Sequence, residues 1–207
     1  MEILAALFLF AVMTIGISST MRETTILTRK VSSREATASS AIIATDRLQK
    51  DIQMTFNEPP ISIFKLLEGG VGSEVTFSFL DTPIKTLFER RTAGLIMANY
   101  HLEKVDDGSY KLLRSEVPYY NYEKLRDAPS QIIAEGVLKF RIEAYDHRND
   151  RWLKDWDNKG PNTNGYFPKA VRLLIETVDT SLPKDEWQKK SLTITTDFLI
   201  LNEIETR

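Results

Sequence analysis

Glu2-Ile3-Leu4-Ala5-Ala6-Leu7-Phe8-Leu9-Phe10-Ala11-Val12-Met13, carried on by Thr14-Ile15-Gly16-Ile17, sets a lone carboxylate at the head of an unbroken apolar run. An ionisable group at the lip of a membrane-grade helix is costly and marks a function by default. Ile3 to Ile17 supplies fifteen residues, short of the roughly 20 that a spanning helix needs. Aliphatic side chains at about −0.3 to −0.6 kcal/mol each still favour the bilayer. A cleavable export signal would open on basic residues and close near a small-x-small site. Here the run opens on an acid, and the first basic residue is Arg22. The cations Arg22, Arg29, Lys30 and Arg34 follow the run, so the positive-inside tendency alone would put the rest of the chain in the cytoplasm.

No proline or glycine interrupts Met21 to Phe56. The apolar residues Leu27, Val31, Ala38, Ile42, Leu48 and Ile52 read as a stripe along a helix. The expectation is one continuous helix from the N-terminus to about Phe56, some 80 Å long at ~1.5 Å per residue and ended by Pro59-Pro60. Its second half is expected to pack on the body of the protein through Val31, Ile42, Leu48 and Ile52. The tract Ala36 to Ala44 consists almost wholly of small residues, which let helix backbones approach one another closely. Ala36, Ser39 and Ile43 are therefore the candidate helix-packing residues toward another subunit.

Beyond the prolines the apolar period becomes two. Val75, Phe77 and Phe79 alternate with polar residues, as do Ile96, Ala98, Tyr100 and Leu102. Asp106-Asp107-Gly108 reads as a turn, and Ser109 to Val117 as the returning strand of a hairpin. Further strands are expected at Leu138 to Ala144, Ala170 to Val178 and Leu192 to Leu201. The predicted fold class is α+β: a long N-terminal helix, with a membrane half and an amphipathic half, on an antiparallel sheet. Its parts are 1–20, the hydrophobic helix; 21–57, the amphipathic continuation; and 58–207, the β domain.

The chain has 207 residues, a net charge of −2 and no cysteine. Near-neutral charge offers no field for nucleic acid, and the cysteine count removes disulfide and thiol chemistry. His101 and His147 are the only histidines, each read as a surface residue. Hydrolase, metalloprotease and phosphate-loop patterns are missing from the sequence. Asp155-x-Asp157-x-Lys159-Gly160 begins like a calcium loop, but Lys159 takes a ligand position and Tyr166 stands where the bidentate glutamate belongs. The reading is therefore a non-enzyme with no catalytic residue, no cofactor and no metal site.

Glu2 to Phe10 resembles the start of mature type IV pilin-like proteins. In the C-terminal half, Glu135-Gly136-Val137 leads to Phe140, Tyr145 and Asp146, then to Trp152, then to Phe167-Pro168-Lys169-Ala170-Val171-Arg172-Leu173. That order is similar to the minor pseudopilin J of type II secretion systems, over about Leu27 to Glu176 and more weakly between Pro59 and Leu95. The resemblance implies a structural subunit of the pseudopilus tip complex that primes assembly. Its partners would be minor pseudopilins of the I, K and H types. Its apolar helix would sit in bacterial inner-membrane lipid before assembly, with the globular domain in the periplasm. Glu2 would be the assembly residue, neutralised by a neighbour's terminal amine. The basic leader, its terminal glycine and the phenylalanine that opens the mature family chain are not in this sequence, and Met1 precedes the glutamate. As written the chain could be neither cleaved nor N-methylated by prepilin peptidase; with the leader restored, the resemblance implies that it would be a substrate for both. A minor pilin of a type IV pilus or competence system shares the same helix signature, and partners would separate the two. An anchored periplasmic ligand-binding β domain is the reading from a different class.

Overall fold

The computed structural model describes residues 2–55, 62–69, 72–81, 94–161, 163 and 165–200, although within 2–55 the side chains of 2–9 and of eight further residues are not described. The predicted Pro59-Pro60 stop lies outside these residues. Helical backbone covers α1 (Glu2–Gln53). The chain divides into two units, Met1–Ala36 and Thr37–Arg207. In the first unit Phe10, Met13, Ile15, Ile17 and Met21 are exposed. Among the residues described there and elsewhere, no helix is long and apolar enough to cross a membrane. The side chains of Ile3 to Leu9, which open the apolar run, fall outside that set.

The second unit is an α+β body built on one antiparallel sheet. Its strands are β1 (Phe64–Glu68), β2 (Ser73–Asp81), β3 (Gly94–Lys104), β4 (Tyr110–Pro118), β5 (Ser130–Asp146), β6 (Arg151–Leu153), β7 (Trp156–Asp157), β8 (Ala170–Thr177) and β9 (Leu192–Leu199). They lie in the order β7-β1-β2-β3-β4-β5-β8-β9, with β6 paired to β5. The Asp106-Asp107-Gly108 turn closes the β3–β4 hairpin as expected. Asp107 Oδ1 accepts the Ser109 N–H at 2.8 Å and its hydroxyl at 2.6 Å, and Gly108 takes a φ of 92°, a conformation open to glycine at little cost. Sequence alternation finds β2, β3, β4, β8 and β9, and of β5 the part from Leu138 to Ala144. It misses β1, and it misses the short pairs β6 and β7, which are too brief to show a period.

Residues 41–55 lie along one face of this sheet. Ala41, Ala44, Leu48 and Ile52 are buried there, in one core with Phe64, Leu66, Phe77, Ile142 and Leu173. The rings stack in series across the strands: Phe77 lies 6.1 Å from Tyr100, nearly parallel at 11°, and 6.5 Å from Phe64. Burying each of these large side chains contributes about 1.5–3 kcal/mol. The expectation that Ile42 belongs to this face is corrected: Ile42 is 58% exposed. Its step to Leu48 is six residues, which at about 100° per residue turns it well away from the buried stripe. The true stripe is Ala41, Ala44, Thr45, Leu48, Asp51, Ile52 and Thr55, all buried. Val31, in the first unit, is also exposed.

The opposite face of β3 and β4 is covered too. A 3₁₀ segment, Tyr119–Asp127, follows β4 and buries Leu125, and Met97, Asn99, Leu113 and Ser115 are buried on that side. His101 is partly covered rather than a free surface residue, and its Nδ1 is buried without a hydrogen-bond partner.

The Glu135-Gly136-Val137 motif has a structural cause. Gly136 adopts φ 65° where the pairing of β5 with β8 shifts register between Val137 and Lys139. Its carbonyl accepts the Val178 N–H at 2.8 Å. A β-carbon here would stand 2.3 Å from the Val178 carbonyl oxygen, so only glycine fits.

Candidate functional site

The helix that lies on the sheet has two faces with different work. Inward, its apolar residues fill the core. Outward, Ser39, Ile42, Ile43, Asp46 and Lys50 recur at steps of three and four, so they form one ridge. All five are exposed, Ile42 at 58% and Ile43 at 60%. Lys50 Nζ reaches Asp46 Oδ2 at 2.7 Å, and the half-exposed Arg47 stands one turn beyond Ile43, so the two isoleucines are an apolar pair bordered by charge. Two of the candidate packing residues, Ser39 and Ile43, are thus brought together on the free face. The side chains of Ala36 and of Glu2 lie outside the described residues.

What holds that face outward is a buried polar knot that sequence reading does not single out. Asp51 is 5% exposed, in the last turn of α1. Its Oδ2 accepts hydrogen bonds from the Tyr100 hydroxyl at 2.7 Å and from Arg114 Nε at 2.8 Å. Its Oδ1 faces Arg47 Nε at 3.2 Å. Arg114, 4% exposed, also donates from Nη1 to Glu116 at 2.5 Å. Its guanidinium carbon lies 5.7 Å from the Phe79 ring and 5.8 Å from the Tyr100 ring. Burial first, and the Asp51 charge second, push the Tyr100 hydroxyl above its ordinary value, so it stays a neutral donor. Three elements, α1, β3 and β4, therefore meet at one carboxylate. A sequence signal for this did exist. Asp51 interrupts the apolar stripe between Leu48 and Ile52, and Arg114 shares a strand face with Leu112.

At the β1 end of the sheet lies a cleft of about 500 Å³, lined among others by Lys65, Leu67, Asp146, Arg151, Trp156 and Tyr166. Its charges are largely committed to the protein itself. Lys65 faces Asp157 at 3.6 Å and Arg151 faces Asp146 at 3.9 Å. Asp146 accepts from the Arg148 N–H, Asn149 Nδ2 and the Tyr166 hydroxyl. The Asn149 bond, chiefly, holds its carboxyl below the usual value. Asp155 accepts the Glu68 N–H, and Asp157 the Lys159 N–H, so the acids of the calcium-like stretch serve as turn and strand caps. Among the described residues, no group of three or more histidine, aspartate or glutamate side chains is placed to hold a metal ion. Trp152 and Trp156 cover the sheet: Trp152 packs 5.2 Å from Tyr145 and beneath the Arg172 guanidinium at 4.2 Å, and Trp156 meets Tyr166 edge-on at 5.4 Å.

No protein-family model matches the chain, and no curated protein matches it. Among solved structures it is similar to a type IV-like pilin from Thermus thermophilus, with a TM-score of 0.48 and 12% sequence identity, over 79% of this chain and 95% of that one.

Proposed function

We propose that this chain is a minor pseudopilin, a structural subunit of the tip complex of a type II secretion pseudopilus. In this reading its N-terminal segment anchors it once in the bacterial inner membrane, and the β domain lies in the periplasm. Its partners are the I-, K- and H-type minor pseudopilins, and its maturation includes N-terminal methylation by prepilin peptidase. The observation that carries the reading is the ridge of Ser39, Ile42 and Ile43. A helix fastened inward by Asp51 and Leu48 presents adjacent isoleucines to solvent on its other side, an arrangement suited to a neighbouring helix. The order Glu2, then an apolar run, then this helix supports the same role. An unpaired carboxylate is costly in hydrocarbon, so Glu2 would select a neighbour's terminal amine when the N-terminal segment leaves the bilayer.

The test is co-expression of the chain, behind a peptidase-cleavable leader, with I-type and K-type pseudopilins. Glu2→Leu is expected to insert in the membrane as the native chain does, because the apolar drive remains, yet to co-purify poorly with both partners. Equal recovery of partners with both forms would sink the assembly role of Glu2. Recovery with pilus-type minor pilins in place of the I and K types would move the protein to a type IV pilus.

A further inference from the structure

The cleft at the β1 end of the sheet has a wall fixed by backbone and side chains together. β7 pairs with β1 at Lys65↔Asp157 and Leu66↔Trp156. Asn158 locks that pairing, its Oδ1 accepting the Phe64 N–H at 2.8 Å and its Nδ2 donating to the Ser62 carbonyl at 3.1 Å. Thr163 Oγ1 donates to the Asp157 carbonyl at 2.5 Å, and Tyr166 stands edge-on to Trp156. The cleft is therefore preformed. Its volume of about 500 Å³ lies within the range of about 300–1,000 Å³ usual for small-molecule sites.

Its polar groups retain capacity for a ligand. Lys65 Nζ is 3.6 Å from Asp157 Oδ2, and Arg151 Nε is 3.9 Å from Asp146 Oδ2. Direct N–H···O bonds run at about 2.7–3.2 Å, so neither pair is closed by a hydrogen bond, and both cations are exposed. Asp155 and Asp157 each use one oxygen on a backbone N–H, that of Glu68 and that of Lys159, and the second oxygen of Asp155 is left over. Trp156, 3% exposed, carries an indole Nε1 with no hydrogen-bond partner, an unfavourable state for a buried donor. Leu67, 42% exposed, adds an apolar surface beside these groups.

The mixture of charge decides the ligand class. An anion would meet Asp146, Asp155 and Asp157, and a cation would meet Lys65 and Arg151; like charges brought together cost affinity. A hydroxyl donates and accepts at one oxygen, so it can serve a carboxylate and the neighbouring cation at once. We infer that the cleft binds a neutral saccharide of about two sugar rings. Its hydroxyls bridge Lys65 and Asp157, with Arg151 and Asp155 as further partners, and its C–H face lies on Leu67. The Trp156 N–H is a donor that a sugar oxygen can satisfy. Ser39, Ile42 and Ile43 do not line the cleft, so the assembly role stands or falls separately.

The probes are chitobiose, cellobiose and maltose, each titrated to about 20 mM into the isotope-labelled full chain in a detergent without a sugar headgroup. The readout is the indole N–H resonance of Trp156, assigned by its loss in Trp156→Phe. At least one disaccharide is expected to move it saturably, with a Kd of about 1 mM or tighter. The Trp187 resonance, whose N–H is bonded to the Leu182 carbonyl, should stay in place. Lys65→Met and Arg151→Met should each weaken binding at least about fivefold and leave the urea midpoint within about 0.5 M of native. Charged relatives, a galacturonate dimer and a glucosamine dimer, should bind at least about tenfold more weakly. Four results would overturn the proposal: no saturable shift with any of the three sugars; equal shifts of Trp156 and Trp187, which mean non-specific contact; undiminished binding by both methionine variants; or a charged dimer binding as tightly as the neutral ones, which means that the cleft selects charge.

Discussion

Replacing Arg114 with alanine removes the cation from the knot that joins α1 to β3 and β4. Asp51 would remain 5% exposed, with the Tyr100 hydroxyl and the half-exposed Arg47 as its remaining partners. Breaking a buried pair from one side costs about 3–5 kcal/mol, because the surviving charge is left uncompensated. The two remaining partners of Asp51 place the cost near the lower end, about 3 kcal/mol. Loss of the guanidinium packed near Phe79 and Tyr100 adds about 0.5–1 kcal/mol. With a urea slope of about 2 kcal/mol per molar, the unfolding midpoint should fall by about 1.8–2 M. The assay is urea unfolding followed by fluorescence of Trp152, Trp156 and Trp187, all of which lie within the second unit. A second variant separates charge burial from packing. In Asp51→Leu with Arg114→Met no charge of the pair is left buried, so the loss should shrink to that of the Tyr100 hydroxyl left without its partner, about 1–3 kcal/mol. A loss below about 1 kcal/mol for Arg114→Ala, or a double variant as weak as the sum of both single ones, would refute the reasoning.

Two other perturbations follow from particular contacts. Gly136→Ala should cost about 2 kcal/mol or more, from the left-handed backbone and the 2.3 Å approach to the Val178 carbonyl, and a midpoint unchanged within 0.2 M of urea, roughly a few tenths of a kcal/mol, would contradict it. Three carboxyls sit below their ordinary value of 3.8: Asp197 chiefly through its bond to Arg172, Asp146 chiefly through Asn149, and Asp107 chiefly through Ser109. A lowered folded value means that their stabilisation is present above the unfolded value and is lost as pH falls through the folded one. Urea midpoints should therefore show no loss from these groups between about pH 7 and 5 and a decline below about pH 4, smaller in Arg172→Gln.

The sheet was legible in the sequence wherever one face of a strand is buried and the other is wet, as in Ala170 to Thr177, whose burial alternates at every position. It was less legible in β3, because the 3₁₀ segment buries Met97 and Asn99 on the second face and blurs the period. β1 went unread because Phe64-Lys65-Leu66-Leu67-Glu68 is only five residues long, and its partner β7 is shorter still. On the helix, Ser39 and Ile43 were legible as candidates from their setting among small residues. The assignment of Ile42 to the core was not sound, since it joined residues six apart as though they shared a face. The knot of Asp51, Tyr100 and Arg114 depends on side chains 49 and 63 positions apart. Its only trace in the sequence is polar residues standing at core positions, and pairing them requires the fold.

The central claim, that the outward ridge of the helix joins other tip subunits, is tested most directly by assembling the purified chain with I- and K-type pseudopilins and measuring the complex by sedimentation. The native chain should enter a defined heteromeric complex. Ser39→Trp and Ile43→Asp should each weaken that complex by at least about tenfold, a loss of about 1.4 kcal/mol, while urea midpoints stay within about 0.5 kcal/mol of native, as expected for exposed positions. Undiminished complex formation by both variants, or no complex with either partner by the native chain, would contradict the account.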